Sequence, residues 1–539
     1  MASGWRSWRL TIGLAIVLVS AGAVVAVVVL SSGPGDAGTT ARTARPDAPV
    51  SVEHTASPAA LRRAARGAVA VTDHPAGREI APGFLGLSFE FQAVRAYTGP
   101  DADAVNPVLL ALIRTLTPGQ RPVIRIGGDS TDISYPVARG VRPLPYVGYP
   151  LTSSWMKTTA ALAHDLDAEM IMGLNLAADD PGLAAAEGRE YLRAFGPRFV
   201  TELEIGNEPN VYGNITKYKT AAGGEHKARP EGYGYPAYRH EFRAVAAAAP
   251  RLPLAGPALA AGPDPGKGSW IETMSDFLRR DKSVALMTVH RYPLRNCYVP
   301  PSSVQYPTVG HLLSDYSTSG LAASLRPWIK IAHSQHRQLR LDELNSVACR
   351  GKRGISDTFA SSLWVTDALF SLARAGVDGV NMHTLPNSAY ELFQFSRSDG
   401  RWRAQVKPVY YGLQLFAQAA PPGARLLKLG GRRPPSGLSV WATRGPDRRV
   451  RMVLINKSPS HGDTVTLHVA GAAGAATVER MTAPNVHARA RVTLGGRSYG
   501  RETYTGRLSA PQTTTLAPRL GVYKVTVPRG SAALVTFGA

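Results

Sequence analysis

The sequence predicts a (β/α)8 barrel followed by an antiparallel β-sandwich, and three observations lead to this fold class. Between residues 84 and 420, short β-type runs alternate with amphipathic helical runs at a regular spacing. Eight such β-then-α units occur, which is the number that closes a barrel. After about residue 420 the helical period disappears, and strand patterns separated by turn residues remain. An open doubly wound sheet is the alternative, although that fold usually has fewer strands and a glycine-rich first turn.

Each predicted barrel strand is a short, largely apolar run that ends in polar or turn residues. The eight runs are 84–91, 122–128, 169–175, 199–207, 252–258, 284–292, 339–345 and 376–384. Helical patterns lie between them, among them residues 153–166, 238–249, 269–280 and 357–375. We therefore assign residues 66–420 to the barrel.

The sandwich is predicted for residues 421–539. Its strand patterns are residues 438–444, 450–457, 464–470, 521–527 and 532–538, each bounded by turn residues. A further strand pattern at residues 68–73 precedes the barrel, and it is a candidate for one additional strand of the same sandwich.

The N-terminal 65 residues differ from the rest of the chain. Arg6 and Arg9 precede an uncharged run from Leu10 to Leu30, which is long enough to cross a bilayer. We expect an uncleaved membrane anchor at residues 1–30 and a flexible linker at residues 31–65, which are rich in Gly, Ala, Thr and Pro. The alternative is a signal peptide cleaved near Ala21-Gly22-Ala23. Both alternatives place the remainder of the protein outside the cytoplasm.

The chain contains two cysteines, Cys297 and Cys349. In an exported protein such a pair is more often a disulfide than a metal site or a nucleophile. The sequence has no CxxC or HExxH motif and no glycine-rich nucleotide-binding loop. It therefore predicts a disulfide and no metal or other cofactor.

The charge of the chain is strongly positive, with a formal net value of +22 at pH 7. From residue 420 onward, 18 Lys and Arg residues stand against 4 Asp and Glu residues. This excess is either a general property of an arginine-rich chain or an attraction for an acidic polymer or anionic surface. Without a nucleic-acid recognition motif, we expect no nucleic-acid partner, and we expect a monomer.

Two carboxylates are predicted at the same face of the barrel. Residues 201–210, TELEIGNEPN, end strand four at Glu208, because Pro209 cannot continue the ladder. Strand seven ends near Glu343, and the C-terminal ends of barrel strands carry the reactive groups of this fold. Because side chains alternate along a strand, Asp342 and Glu343 are expected to point in opposite directions, with one of them in the pocket.

Paired carboxylic acids at a barrel mouth are typical of glycoside hydrolysis. One acid protonates the leaving oxygen, and the other attacks the anomeric carbon or activates water. The first needs a raised pKa and the second must stay ionised, so their surroundings must differ. Asn207, next to Glu208, is expected to donate a hydrogen bond to the sugar 2-hydroxyl.

Several motifs together resemble glycoside hydrolase family 79, which includes heparanases and β-glucuronidases. Gly206-Asn207-Glu208-Pro209, with a second Glu on strand seven, is similar to the wider clan of retaining glycosidases built on this barrel. The motifs that resemble the family itself are RIGGDSTD at 125–132, HRYP at 290–293, GISDTFA at 354–360 and KPVYYG at 407–412. The likeness spans about residues 66–539, and at the position of Asp129 the family more often has Asn.

The resemblance implies roles for individual residues. Glu208 matches the acid/base and Glu343 the nucleophile. Tyr292 matches a tyrosine that contacts the nucleophile, and Tyr390 resembles a tyrosine near the sugar carboxylate. Two further residues, Glu90 and Asp129, are expected to bind the sugar, whereas His290 is expected to pack beside the pair without acting as a catalyst.

The family resemblance implies a retaining β-glucuronidase or heparanase-like hydrolase. Its substrate is then a glucuronide or an acidic polysaccharide, and its catalytic carboxyl groups lie about 5–5.5 Å apart. One alternative is another clan member, such as an arabinofuranosidase or a β-xylosidase. A second alternative is a non-catalytic glycan-binding protein on the same barrel.

Overall fold

The computed structural model describes residues 57–214, 216–220, 222–262 and 269–538. In this part of the chain, eight parallel strands close into a barrel in chain order, which confirms the predicted fold. Strands β1 to β8 are Leu85–Glu90, Val123–Gly127, Glu169–Leu174, Val200–Ile205, Leu254–Ala260, Val284–His290, Gln338–Leu344 and Gly379–Thr384. Each of them overlaps a run that the sequence pattern identifies, and β8 pairs with β1 to complete the closure.

Helices cover the outside of the barrel. They are Phe91–Thr98, Pro107–Leu116, Ser153–Leu166, Pro181–Phe195, Tyr235–Ala248, Met274–Arg280, Val309–Leu313, Ser319–Ser324, Arg326–Ser334, Phe359–Ala375 and Pro408–Ala419. Local sequence determines several of their starts. Asn106 and Asp180 accept hydrogen bonds from first-turn N–H groups, and each is followed by Pro at the first helical position.

Short strand pairs extend the loops at the C-terminal face of the barrel. They are Ser134–Pro136 with Tyr149–Leu151, Thr216–Lys219 with Glu225–Lys227, Leu294–Arg295 with Val347–Ala348, and Phe393–Ser398 with Arg401–Val406. The third pair joins the loops that follow β6 and β7. Directly after Leu294–Arg295 and Val347–Ala348, a disulfide links Cys297 to Cys349, with their Cα atoms 6.2 Å apart.

A second sheet packs against the barrel. Ten strands contribute to it within the described residues: Val69–Glu79, Arg425–Gly431, Leu438–Arg444, Val450–Asn456, Asp463–Val469, Ala476–Thr482, Thr493–Leu494, Thr514–Leu516, Tyr523–Val527 and Ser531–Thr536. The strand pattern at 68–73 is thus part of this sheet. Val69–Glu79 runs antiparallel to Arg425–Gly431 but parallel to Asp463–Val469, so one pairing departs from the predicted antiparallel arrangement.

A buried ionic cluster joins this sheet to the barrel. Asp367, in helix Phe359–Ala375, accepts hydrogen bonds from Ser439 at 2.8 Å, Trp441 at 2.8 Å and Lys457 at 2.9 Å. All three donors belong to the sheet or to the turn after one of its strands. The helix lies between the barrel and the sheet and is buried along nearly its whole length.

Residues Pro58–Arg66 form a helix, although composition predicts a flexible linker at residues 31–65. Ser57 caps the helix by accepting a hydrogen bond from the N–H of Ala60 at 3.3 Å. The helix itself consists mainly of Ala, Leu and Arg, which are strong helix formers. The linker prediction is therefore wrong for this end of the segment, and residues 31–56 lie outside the described residues.

Within residues 57–538, as far as they are described, no helix is both long and apolar enough to cross a bilayer. The predicted anchor at residues 1–30 lies outside the described part of the chain.

Candidate active site

Glu208 lies just beyond the C-terminal end of β4. Its backbone adopts the left-handed conformation, with φ 50° and ψ 49°, and its N–H donates to the carbonyl of Ala258 at 2.9 Å. Residues other than glycine rarely adopt this conformation, and such residues are concentrated at functional sites. The side chain is 23% exposed, so the carboxyl group is accessible from the barrel mouth.

Glu343 is held from two sides at the C-terminal end of β7. Arg125 Nη1 donates to its Oε2 at 2.7 Å, and the Tyr292 hydroxyl donates to its Oε1 at 2.8 Å. Burial acts to raise the pKa of Glu343, but His383, His290, Arg125 and the Tyr292 hydroxyl together hold it well below the usual range. Burial lowers the pKa of His383 itself, whereas Arg125 keeps a permanent positive charge beside Glu343.

The two carboxyl groups lie close together. One carboxylate oxygen of Glu208 and one of Glu343 are within 4.8 Å of each other. A retaining pair of glycosidase carboxyl groups is separated by about 5–5.5 Å, whereas an inverting pair is separated by about 6.5–9.5 Å. Because the 4.8 Å bound applies to the nearest oxygens, it agrees with the shorter separation of a retaining pair.

Asp342 also points into the barrel, so the expectation that it points away from the site is wrong. Its Oδ2 lies 3.4 Å from Arg125 Nε, and its Oδ1 lies 3.5 Å from His290 Nε2. The cause is a β-bulge, since Val289 of β6 pairs with Leu341 while the next residue, His290, pairs with Glu343. The bulge leaves Asp342 as the extra residue and breaks the alternation of side chains.

Arg125 of β2 is the buried cation at the centre of the site. It donates to Glu204 of β4 at 2.7 Å and to Asn207 Oδ1 at 2.9 Å, in addition to Glu343. A Cβ atom at Gly127 would lie 2.5 Å from its guanidinium group, so the glycine leaves room for the cation. Sequence reasoning assigned Arg125 no role; the available signal was one charged residue in the apolar run 122–126.

Glu90 contacts the loop after β2 rather than facing open solvent. The residue is 5% exposed, and its carboxyl group accepts hydrogen bonds from Ser130 N at 2.8 Å, Asp129 N at 3.2 Å and the Ser130 hydroxyl. Burial, followed by the charges of Asp129 and Glu343, raises the pKa of Glu90 to about 8. These contacts position Asp129, which is exposed and accepts a hydrogen bond from Asn207 Nδ2 at 3.3 Å.

Tyr292 and Tyr390 form an aromatic wall beside Glu343. Their ring centroids are 6.2 Å apart, and the ring of Tyr390 lies 5.8 Å from that of His383. The loop that carries Tyr390 is fixed by Ala389, whose N–H donates to the carbonyl of Arg350 at 2.9 Å. Because Arg350 follows Cys349, the disulfide supports the loop that positions Tyr390.

His290 lies between Glu208 and Asp342. Its Nδ1 lies 3.0 Å from Glu208 Oε1, and its Nε2 faces Asp342. Two sets of side chains bring possible metal-ligand atoms within 4.8 Å of one another: Glu204, His290 and Asp342, and Glu208, His290 and Glu343. Arg125 already supplies a permanent positive charge against three of these carboxyl groups.

Comparison with known proteins identifies relatives of this chain. Residues 440–534 match the model of the glycosyl hydrolase family 79 C-terminal beta domain. A beta-glucuronidase from Aspergillus niger is 24% identical over 472 residues, which cover 78% of this chain and 84% of that protein. These matches support membership of glycoside hydrolase family 79. A beta-glucuronidase from Neurospora crassa is 25% identical over 145 residues, and this match spans 27% of the present hydrolase and 26% of that relative.

Solved structures with the same fold cover nearly the whole hydrolase. A 4-O-alpha-L-rhamnosyl-beta-D-glucuronidase from Fusarium oxysporum has a TM-score of 0.67 at 18% identity, covering 87% of this chain and 99% of that chain. A family 51 arabinofuranosidase from Xanthomonas axonopodis pv. citri has a TM-score of 0.61 at 14% identity, with the same coverage. At these identities the likeness establishes the fold.

Proposed function

We propose that this family 79 hydrolase is a retaining β-glucuronidase that cleaves glucuronides or glucuronic-acid-containing polysaccharides. The observation that carries the proposal is that two carboxyl groups within 4.8 Å of each other have different surroundings. Glu343 is buried and ionised against Arg125 and Tyr292, as a nucleophile must be. Glu208 is more exposed and contacts an imidazole instead of a permanent cation, as suits an acid/base group.

The reaction then proceeds by two displacements. Glu343 attacks the anomeric carbon while Glu208 gives its proton to the leaving oxygen, and a covalent glycosyl ester forms on Glu343. In the second step, Glu208 takes a proton from water, and this water attacks the anomeric carbon and releases the sugar with its configuration retained. Arg125 and Tyr292 orient Glu343 for the attack.

The proposed substrate follows from the relatives and from the wall of the site. Both matched relatives are named beta-glucuronidases. Tyr390 lies beside Tyr292 and close to Glu343, and we place the sugar carboxylate there. Asp129 and Asn207 are joined by a hydrogen bond, and we place the ring hydroxyls beside them.

A panel of aryl glycosides tests this proposal. We expect the 4-nitrophenyl β-D-glucuronide to be hydrolysed at least tenfold faster, in kcat/KM, than the β-D-glucoside, β-D-xyloside and α-L-arabinofuranoside. Proton NMR of the first product should show the β-anomer of glucuronic acid. Preference for a pentoside would favour an arabinofuranosidase or a β-xylosidase, an α-anomer would reject the two-step mechanism, and binding without turnover would indicate a glycan-binding protein.

We also propose that the enzyme acts outside the cytoplasm. The support is the disulfide between Cys297 and Cys349 and the uncharged sequence of residues 10–30. Fractionation of cells that express the full chain distinguishes a membrane-tethered enzyme from one released after signal cleavage. Recovery of the activity in the cytoplasmic fraction would contradict both.

A further inference from the structure

A group of buried polar atoms lies directly beneath the catalytic pair. With both carboxyl groups ionised, His290 Nε2, both Asp342 oxygens and Glu204 Oε1 lack a hydrogen-bond partner among the described residues. One carboxylate oxygen of Glu204, one of Asp342 and one ring nitrogen of His290 nevertheless lie within 4.8 Å of one another. Unpaired buried polar groups are costly, and two carboxylates cannot donate to each other. One proton placed on Asp342 supplies the missing donor.

His290 connects this buried carboxyl pair to the acid/base group. One ring nitrogen lies 3.0 Å from Glu208 Oε1, and the other lies 3.5 Å from Asp342 Oδ1. The imidazole is 1% exposed, so solvent does not compete for either nitrogen. An imidazole in such a position can accept a proton on one nitrogen while it donates from the other.

We propose that Asp342 is a neutral acid in the resting enzyme and passes its proton to His290 once Glu208 has protonated the leaving group. The Oδ1–H bond of Asp342 breaks and an Nε2–H bond of His290 forms, while Nδ1–H continues to face Glu208. His290 becomes an imidazolium ion beside the new Glu208 carboxylate, and Asp342 becomes a carboxylate. The proton returns to Asp342 when Glu208 regains a proton from water. His290 and Asp342 are thus positioning residues that act through Glu208.

The covalent step itself favours this transfer. When Glu343 forms the glycosyl ester, it loses its negative charge, and Arg125 loses the ion pair that Nη1 makes with it. The Nε of Arg125 remains 3.4 Å from Asp342 Oδ2 and can stabilise the carboxylate that forms there. The negative charge lost at Glu343 reappears at Glu208, which is the group that the imidazolium faces.

In the resting enzyme, by contrast, the proton stays on Asp342 and is not transferred to His290. Burial, and then the charges of Glu204 and Glu343, raise the pKa of Asp342 well above its usual range, although Arg125 acts against them. Burial acts to raise the pKa of Glu204, but the charge of Arg125, whose Nε lies 2.7 Å from Glu204 Oε2, lowers it. The pair therefore holds one proton, and this proton is on Asp342.

The charged groups around this relay come from five strands. They are Arg125 of β2, Glu204 and the adjoining Glu208 of β4, His290 of β6, Arg340, Asp342 and Glu343 of β7, and His383 of β8. Burial lowers the pKa of Arg340 to about 10, so both arginines stay charged between pH 5 and pH 9. Changes in protonation over this range therefore fall on the carboxyl and imidazole groups.

The inference rests on the proposed glucuronidase activity, and Asp342→Asn tests it. The amide nearly matches the neutral acid in shape and can donate to His290, but it cannot transfer a proton. We expect kcat/KM for phenyl β-glucuronide to fall at least tenfold and that for 2,4-dinitrophenyl β-glucuronide to fall less than threefold, because a good leaving group needs little protonation. Asp367→Asn, a buried aspartate far from the site, is the matched control and should affect both substrates equally.

A double-mutant cycle with His290→Gln separates the relay from simple packing. If the proton passes through His290, Asp342→Asn should have little further effect in the His290→Gln background. Additive effects, or an equal loss for both leaving groups, would overturn the proposal. If the unsubstituted enzyme hydrolyses no glycoside at all, the proposed function fails instead.

A measurement on the unsubstituted enzyme covers the case in which Asp342→Asn does not fold. In enzyme labelled with ¹⁵N-histidine, the His290 signals can be assigned by their loss in His290→Gln. We expect a neutral imidazole in the free enzyme and an imidazolium ion once Glu343 is trapped as its 2-deoxy-2-fluoroglucuronyl ester. A neutral His290 in the trapped ester would refute the transfer.

Discussion

Arg125 donates from Nη1 to Oε2 of Glu343 over 2.7 Å, and both groups lie inside the barrel. The same guanidinium pairs with Glu204 and lies 3.4 Å from Asp342, so one cation faces three carboxyl groups. Burial acts to lower the pKa of Arg125, but these three carboxyl groups raise it well above the usual range. Arg125 therefore stays protonated throughout the working pH range.

Arg125→Gln should therefore impair both stability and catalysis. Removing one partner of a buried ionic group leaves charges without compensation, so we expect the free energy of unfolding to fall by about 3–5 kcal/mol. Activity should fall at least 100-fold in the fraction that remains folded, because Glu343 is no longer held ionised. Urea unfolding and kcat of the folded fraction provide the two measurements.

Arg198→Gln is the control for this prediction. Arg198 lies just before β4, the strand that carries Glu204, and pairs with Asp167, but its side chain is 68% exposed. Exposed pairs contribute about 0–1 kcal/mol, so this variant should be nearly neutral. Equal losses in the two variants would show that burial of the Arg125 cluster has no special energetic weight.

The roles of the two carboxylates should separate by leaving group. Glu343→Ala removes the nucleophile and should abolish turnover of every substrate. Glu208→Ala should lose about 10²–10⁴-fold on substrates with poor leaving groups and much less on 2,4-dinitrophenyl glycosides. Added azide should restore turnover of Glu208→Ala and yield a β-glycosyl azide. If both variants depended on leaving-group pKa in the same way, the division of roles would be wrong.

Strand positions were predictable from the sequence because each barrel strand is a short apolar run between turn residues. The C-terminal ends of barrel strands meet at one face, so the sequence alone predicts that Glu208 and Glu343 form a pair. Asp342 could not be placed, because the bulge between β6 and β7 leaves no mark in the alternation pattern. Arg125 was equally hidden, since its partners come from strands far away in sequence and depend on closure of the barrel.

Glu187 offers a test of pH-dependent stability away from the catalytic pair. It is fully buried, with Oε1 lying 2.7 Å from Ser134 Oγ and Oε2 accepting the N–H of Asn175 at 2.7 Å. Burial raises its pKa from the usual value near 4.5 to about 8. A protonated Oε1 can donate to Ser134, whose hydroxyl then donates to the carbonyl of Thr131 at 2.9 Å.

Glu187→Gln should stabilise the protein at neutral pH. Between about pH 4.5 and pH 8 the folded chain binds one more proton at this site than the unfolded chain, so stability falls as pH rises. A glutamine amide reproduces the hydrogen bonds without this proton, and we expect the variant to gain roughly 2–4 kcal/mol at pH 7 and little at pH 4. Urea unfolding at both pH values measures the difference.

Glu190→Gln, one turn further along the same helix, is the matched control. Glu190 is partly exposed and pairs with Arg193, so its substitution should change stability by less than about 1 kcal/mol at either pH. A Glu187→Gln variant with the same stability gain at pH 4 as at pH 7 would contradict a buried protonated carboxyl group.

The basic C-terminal sheet leads to a prediction about polymeric substrates. Arg432, Arg433, Arg448 and Arg449 all contribute to the excess of positive charge after residue 420. The structure separates them, because the first two follow one strand and the last two follow Leu438–Arg444, the next strand. The pairs therefore lie at opposite ends of a strand of about 20 Å.

The two ends differ in their relation to the active site. Arg444 pairs with Arg425, which in turn pairs with Glu79, and the chain enters the barrel from there at Leu85, the N-terminal end of β1. The turn with Arg448 and Arg449 therefore lies on the side of the barrel away from the carboxylates.

Neutralising Arg432 and Arg433 with glutamine should therefore weaken hydrolysis of a glucuronic-acid-containing polysaccharide, whereas the Arg448 and Arg449 pair is its matched control. Both pairs are exposed, so salt screens them over a Debye length of about 8 Å at physiological ionic strength. Raising salt should reduce kcat/KM of the unsubstituted enzyme for the polymer more than for the 4-nitrophenyl glucuronide, and this excess should shrink in the first double variant alone. Equal salt dependence for polymer and aryl glucuronide would mean that the positive charge of the sheet is a solvated surface without a part in substrate recruitment.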